Sequence, residues 1–409
     1  MEEKKLLAVP FMDLKRVLDF EKKNLQEAFN RVLESGRYIL SQEVASFEQS
    51  LSAYLNIRHC IGVSSGSDAL LLSFLALGIK PAEKVICPTF TFFATAGSIA
   101  RIGARPVFAD SCPGCFQLPP FEAQSRIDSE TRGIVPVHLF GQCADMDGFK
   151  EIKEKNDIFI IEDSAQAFGA SLGDKKAGVL GDVGCFSFFP TKNLAALGEA
   201  GLVVTASDEI AYKLKALRVH GSFRQKYIHE LIGGNFRMDE VQAAFLHVRL
   251  NAVDKLIEQR IKNALLYEQA FLSSGIAILC PDPCLCQTKK YEGLSHWDKD
   301  NYYPIYLPRS VRGRHTFNQY VIRIKKERDK LRDYLKDRGI QTEIYYPMPL
   351  HLQPCFSSLG YQKGDFPIAE KLSQEVMALP IFPGLTEEEI ERVVKVICQF
   401  FGHPYKSLP

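Results

Sequence analysis

The stretch Cys60-Ile61-Gly62-Val63-Ser64-Ser65-Gly66-Ser67-Asp68 decides the architecture, because a short apolar β-type run ends in a Ser/Gly turn and opens an apolar helical run over 67–77. The pattern then repeats. A second apolar run covers 84–87, a helical stretch 93–102, and a third run 106–109. Such β-α-β rhythm builds a mainly parallel sheet covered on both faces. Four more β-rich runs, at 133–138, 158–161, 184–188 and 202–205, raise the expectation to about seven strands.

Upstream, residues 13–35 carry charged and apolar side chains at helical spacing and end at Gly36, and a second helical run covers 41–55. Downstream, a helix is expected from near Arg237 to past Arg260, with Val241, Ala244, Phe245, Val248 and Val253 on its apolar side. That length suits a bridge between two domains. The stretch around 280–314 is rich in Pro, Tyr and charge and reads as a long insertion. Beyond it come a strand at 319–324, a helix at 326–336, a strand at 341–346 and a last helix over 386–401. The expected division is a large α/β domain over 1–255, with its N-terminal helical segment, and a smaller α+β domain over 256–409.

With 409 residues the chain is long enough for two cores. Lys plus Arg number 50 against 49 Asp plus Glu, so no overall field draws the protein to nucleic acid or to an anionic membrane. Residues 1–10 lack the long apolar stretch of a signal peptide or membrane span, and a cytoplasmic location is the default expectation. Eleven Cys, an odd number, read as reduced thiols. Cys112 and Cys115 form a Cys-x-x-Cys, and Cys280, Cys284 and Cys286 cluster, but no His accompanies either group and no metal is expected.

Chemistry concentrates in three places. Ser187-Phe188-Phe189-Pro190-Thr191-Lys192-Asn193 sets a single Lys just after an apolar strand. A buried ammonium loses solvation and its pKa falls, as a Schiff-base nucleophile needs; an ordinary surface Lys is the bland reading. Ile161-Glu162-Asp163-Ser164-Ala165-Gln166 places two carboxylates at the C-terminal end of a strand, where open α/β sheets bind ligands. Asp163 suits either a cofactor ring nitrogen or a helix N-cap. The turn at Ser64 to Asp68 offers N–H groups and hydroxyls at a helix start, a phosphate cradle if a phosphate is present. Phe90, Phe92 and Phe93 follow in a Thr-rich loop, suited to stacking on a ring or to core packing.

At these residues the sequence resembles the fold type I pyridoxal-phosphate enzymes of the DegT-type (DegT/DnrJ/EryC/StrS) sugar aminotransferase family. The resemblance runs from residues 9–15 and 35–40 to 346–353 and Leu379-Pro380, and its most specific motifs lie at 187–193, 161–169 and 233–243. It implies a seven-stranded, mainly parallel large domain and pyridoxal 5′-phosphate on Lys192. Asp163 would meet the pyridine nitrogen, Gln166 the cofactor oxygen and Phe92 the ring face. Gly66, Ser67 and Ser187 would cradle the phosphate, and Asn235 would reach the phosphate of a neighbouring subunit, implying a homodimer with shared sites.

The implied reaction takes an amino group, from L-glutamate as in similar enzymes, to a nucleotide-linked keto-sugar, for cell-envelope polysaccharide or related glycans. Relatives with His for the lysine dehydrate sugars, and Lys192 favours amination. The rivals are another enzyme of the same fold, such as that dehydratase or an amino-acid aminotransferase, a regulatory or binding protein that has lost turnover, and, weakest, a nicotinamide dehydrogenase, for which no Gly-x-Gly-x-x-Gly follows the first strand. His220, Arg224, Lys226 and Tyr227 suit either a diphosphate or a solvated loop, and Tyr346 and His351 either the sugar or a structural role. Two departures stand out: Glu199-Ala200-Gly201 where Asp-Gly-Gly is common, and the length of the 280–314 stretch.

Overall fold

The computed structural model describes residues 8–19, 21–222, 224, 225, 227–280 and 303–407. Its large sheet is built from β1 (His59–Val63), β2 (Lys84–Pro88), β3 (Arg105–Ala109), β4 (Thr131–Ile134) and β5 (Phe159–Asp163). A small hairpin of β6 (Ser171–Leu172) and β7 (Lys175–Lys176) follows, and β8 (Val183–Ser187) and β9 (Gly201–Thr205) complete the sheet. Among the described residues its order is β1-β9-β8-β5-β4-β2-β3, seven strands as the periodicity predicts.

The four pairings from β3 to β8 are parallel, while β9 runs antiparallel to both β8 and β1. β9 is buried at all five positions. Unbroken burial instead of alternation marks a strand covered on both faces. On one face Leu70, Phe74, Phe108 and Leu214 pack with β-strand residues; on the other Phe47, Phe186, Leu246 and Ile257 do so. Each such fully buried side chain contributes on the order of 1.5–3 kcal/mol.

A four-stranded sheet of β10 (Ala277–Leu279), β11 (Ile305–Leu307), β12 (Tyr320–Ile324) and β13 (Val376–Leu379) forms the second unit, in that order. Its core joins Tyr267 and Phe271 of the helix Val253–Ser273 to Ile390, Val394 and Ile397 of the helix Glu387–Phe400. Thr386 and Glu389 close a capping box at the start of that last helix. Leu350, Phe356, Phe366 and Leu372, late in the chain, pack instead into the core of the large sheet. Asp110, just beyond β3, seals this contact by accepting from the N–H groups of Ile368 and Ala369 at 3.0 and 2.9 Å, at the start of the helix Pro367–Glu375.

Several sequence expectations shift. The helix expected from Arg237 to past Arg260 is two helices, Glu240–Leu250 and Val253–Ser273. Asp239 caps the first through Gln242 N–H at 2.8 Å, so residues 237–239 stay outside it. Asn251, a weak helix former, sits at the break. The run 13–35 is likewise two helices, Leu14–Asp19 and Lys22–Ser35, the second ending at Gly36 with φ 63°. β4 stops at Ile134 because Pro136 has no N–H to give, and Val137 keeps only a lone bridge to Asp163. The run 341–346 makes one bridge, Glu343 to Ala378, and no strand. Within the stretch expected to be an insertion, β11 occupies 305–307, and residues 281–302 lie outside those described.

Candidate active site

The C-terminal ends of β1, β5 and β8 converge on one edge of the large sheet, which is where open α/β sheets place ligands. Strand alternation sends the neighbouring carboxylates of β5 to opposite faces. Asp163 is 5% exposed; its Oδ2 accepts from Thr95 Oγ1 at 2.7 Å and its Oδ1 from Ala165 N–H at 3.2 Å. No helix follows it, so the N-cap reading falls away. Burial raises the Asp163 carboxyl, opposed by those two donors and by the nearby Lys192.

Glu162 faces the other way. It pairs with His138 at 2.7 Å and accepts from the N–H groups of Gly178, Leu180 and Gly181, with both members of the pair fully buried. The Nδ1 of His138 accepts from Ala144 N–H at 3.0 Å, which leaves the proton on Nε2, toward Glu162. The pair thereby fixes the frame that carries Asp163.

Lys192 lies in the loop between β8 and β9 and keeps partial access to solvent. The protein around it desolvates the ammonium and brings its pKa from 10.5 down to about 8, with the Asp163 charge pulling the other way. The loop is firmly held. Asn193 Nδ2 donates to Phe168 O at 3.1 Å, and Arg249 Nη1 to Ala195 O at 2.6 Å while its Nε pairs with Glu21 at 3.1 Å.

Against the end of β8 the helix Gly66–Ala76 begins. Ser65 Oγ accepts from Asp68 N–H at 3.1 Å, and Ser64 and Ser65 both donate to Asp68 Oδ2. Those hydroxyls are spent on the cap. The N–H groups of Gly66 and Ser67 remain open at the helix start, where the dipole favours an anion. A Cβ at Gly66 would lie 2.6 Å from Ser187 Cβ, so only glycine lets the helix start sit against the end of β8. A Cβ at Gly201 would lie 2.3 Å from Ser65 O, which explains why the third residue of Glu199-Ala200-Gly201 stays glycine while Ala200 fits, fully buried, in the second.

Phe92 is 56% exposed, its ring 6.2 Å from that of Tyr346. Gln166 Oε1 accepts from Phe140 N–H at 2.7 Å, and its Nε2 donates to Tyr346. The buried hydroxyls of Thr91 and Ser164, next in sequence to Phe92 and Asp163, have no protein partner. An open cradle, a buried carboxylate, a desolvated amine and an exposed aromatic ring together fit a phosphate-bearing pyridine cofactor.

The remaining expected residues are distributed differently. His351 is 2% exposed and its ring nitrogens meet Thr89 Oγ1 at 2.8 Å and Glu370 Oε1 at 3.1 Å, so the structure gives it a role in packing and does not bring it to the cleft. Arg224 lies over the Tyr212 ring at 5.0 Å, and Tyr227 is 77% exposed. The exposed His220 donates its N–H to Gly234 O at 2.9 Å, and Lys226 lies outside the described residues. Asn235 is exposed and bridges Val219 through its backbone. Cys112, Cys115 and Cys280 are buried, Cys284 and Cys286 lie outside the described residues, and no group of three metal-ligating side chains occurs among those described. Nor is any described helix long and apolar enough to cross a membrane.

Sequence reasoning missed Thr95, His138 and Arg249. Only the placement of Thr95 three residues after Phe92, at the next helix start, was a usable signal.

A profile described as the DegT/DnrJ/EryC1/StrS aminotransferase family matches residues 19–290 and 292–398. The chain is 42% identical over 396 residues to the pleiotropic regulatory protein of Geobacillus stearothermophilus, covering 97% of this chain and 99% of that protein. It is 37% identical to the dTDP-3-amino-3,4,6-trideoxy-alpha-D-glucose transaminase of Streptomyces venezuelae, over 95% of each chain. The structure of S. venezuelae DesV in complex with a ketimine intermediate superposes with a TM-score of 0.85 at 36% identity, covering 96% of this chain and 98% of that one.

Proposed function

The chain belongs to the DegT/DnrJ/EryC1/StrS aminotransferase family, and from that premise we propose that it carries pyridoxal phosphate on Lys192 and moves an amino group from L-glutamate to a nucleotide-linked keto-sugar. The observation that carries this reading is the desolvated Lys192 amine set within the field of the buried Asp163 carboxylate.

When bound, pyridoxal phosphate supplies a carbonyl that takes up amino groups and a protonated ring that draws electrons from the adjacent carbon. The chain does the rest. Lys192, near 8, offers an unprotonated Nζ at neutral to mildly alkaline pH and serves first as nucleophile, then as the base that carries a proton between neighbouring carbons. Asp163 would hold the ring nitrogen and keep its proton in place. Gly66 and Ser67 would hold the phosphate through their N–H groups and the Ser67 hydroxyl, with Ser187 at the edge of that cradle and Phe92 available to the ring. Gln166 keeps one amide N–H beyond its bond to Tyr346 for the cofactor oxygen. Tyr346 borders the sugar.

The exposed Asn235 belongs to the site of a second copy in this reading. Leu33, Tyr38, Ile39, Ile228 and Ile232 are all more than 45% exposed, apolar surface that a homodimer would cover. The relative named as a regulatory protein raises the alternative of a chain without turnover. Keeping a desolvated lysine next to a buried carboxylate is costly without chemistry to use it, which favours the enzyme.

The test is the absorption spectrum of purified protein with added pyridoxal phosphate, before and after glutamate, for the intact chain and Lys192→Ala. A visible band that glutamate bleaches, absent from the variant, supports the reading. A protein that develops no band sinks it.

A further inference from the structure

Cys112-Pro113-Gly114-Cys115 is a motif that the aminotransferase reading leaves unused. Cys112 O accepts from Phe116 N–H at 3.0 Å, closing one tight turn, and Cys112 N–H donates to Gln117 O at 2.8 Å. This i→i+4 turn is one helix-like turn, which sets its first and fourth Cα atoms about 5 Å apart. Disulfides need roughly 4.4–6.8 Å. Both side chains are buried, at 0% and 4% exposure, and they pack on each other and on Val311 in a small cluster of their own.

The pair differs from the other buried thiols. Cys60, Cys87, Cys143 and Cys185 sit singly in larger core clusters. Cys115 instead lines a narrow crevice with Gly114, Arg309 and His315. The crevice has room for about one water-sized molecule.

We propose that Cys112 and Cys115 are an oxidation site that closes to a reversible disulfide, with hydrogen peroxide as oxidant and a dithiol as reductant. The Cys115 sulfur attacks one peroxide oxygen; an S–O bond forms, the O–O bond breaks, and hydroxide departs as water with the thiol proton. The Cys112 sulfur then attacks the Cys115 sulfur; the S–S bond forms, the S–O bond breaks, and a second water leaves with the Cys112 proton. Two electrons pass from the sulfurs to peroxide, and a dithiol returns them by exchange.

The turn is coupled to both units of the fold. Arg323, paired with Glu375, donates from Nη1 to Pro113 O at 3.2 Å. Gln117 brackets Leu139 with bonds of 3.1 and 3.2 Å, and the next residue, Phe140, holds Gln166. The disulfide therefore forms behind the wall that positions Gln166.

The test treats the full-length protein with hydrogen peroxide, blocks remaining thiols with iodoacetamide in denaturant, and maps peptides by mass. The expected result is a peptide with Cys112 and Cys115 joined, two hydrogen atoms lighter and unalkylated, which becomes doubly alkylated after dithiol treatment. The joined species is absent from Cys112→Ser and from Cys115→Ser; should either variant fail to fold, the wild-type peptide decides alone. Exposed Cys355 reports that the peroxide was active, and fully buried Cys87 reports opening of the core. Both thiols alkylated while Cys355 is oxidised would overturn the proposal. So would a link that forms no faster than Cys87 is modified, or Cys115 carried to sulfinic acid with Cys112 alkylated.

Discussion

Gln166 donates from Nε2 to the Tyr346 hydroxyl at 2.9 Å, tying the end of β5 to a segment that lies nearly two hundred residues later. Its Oε1 is committed to Phe140 N–H, so the amide cannot flip without losing both bonds. Burial pushes the Tyr346 phenol up, keeping it neutral and able to donate. Tyr346→Phe keeps the ring contacts with Phe90 and Phe92 and removes one hydrogen bond, a cost of about 1 kcal/mol. Tyr346→Ala, which also loses the ring, costs roughly 3–5 kcal/mol. Urea denaturation of the two variants measures the difference, and equal losses would contradict the packing described.

Cofactor loading should follow the ionisation of Lys192. Burial depresses its folded pKa to about 8 from 10.5, so the reactive free amine grows as pH rises through 8. The rate at which apoprotein takes up pyridoxal phosphate should climb between pH 7 and pH 9 and then flatten. A pH-independent rate would mean that the amine is not the group being titrated.

Asp163→Asn removes the charge that holds Lys192 up, so the loading midpoint should move below that of the wild type. The visible band should still form. Turnover should fall by about 10²–10⁴-fold, since the ring proton loses its anionic partner. Stopped-flow loading and steady-state turnover on one preparation check both halves.

Asp110 carries a different pH signature. Burial lifts its folded carboxyl to about 6 from 3.8, against the pull of the N–H groups of Ser111, Ile368 and Ala369. Between those values the folded state holds the proton that the unfolded chain has released, so this group's contribution to stability falls as pH rises from 3.8 to 6. Asp110→Ala should flatten that part of the stability profile. It should also cost about 1–2 kcal/mol at neutral pH by uncapping the helix Pro367–Glu375. Denaturation midpoints across pH 4–7 give the comparison.

His351→Ala separates packing from substrate contact. Leaving Thr89 and Glu370 without their partner costs about 1–3 kcal/mol. KM for both substrates should stay within roughly twofold, because no binding contact is lost. Desolvation lowers the folded pKa of His351 below 6.5, so its contribution is complete above that pH and shrinks as pH falls below it. A large KM change with unaltered stability would return His351 to the substrate.

The sheet was legible because strands buried on both faces leave unbroken apolar runs, as at Leu202, Val203 and Val204, and because Ser64 to Asp68 marks a strand-to-helix turn in any context. That Lys192 and Asp163 lie near each other at strand ends was legible from chain order and neighbouring residue types. His351 was not, since a His beside Pro and Leu looks the same whether it faces a ligand or, as here, Thr89 and Glu370. The supporting pair of Glu162 and His138 was equally hidden: it depends on which face of β5 each carboxylate takes, and that is fixed by the register with β4 and β8. The break at Asn251 shows the limit of periodicity, which ran on through a position where the backbone turned.

The reversed strand β9 also divides the assembly of the site in time. β8, the lysine loop and β9 form an antiparallel pair closed by a loop of 13 residues, a far smaller closure than the one that joins β1 to β9. The phosphate cradle depends on β1 docking against the far edge of β9, a pairing between segments about as distant in sequence as the large sheet allows. Such long-range pairings form late. On this topology the Lys192 loop should close before the helix start at Gly66 docks beside it, so a ligand that needs both would be held only once β1 has paired with β9.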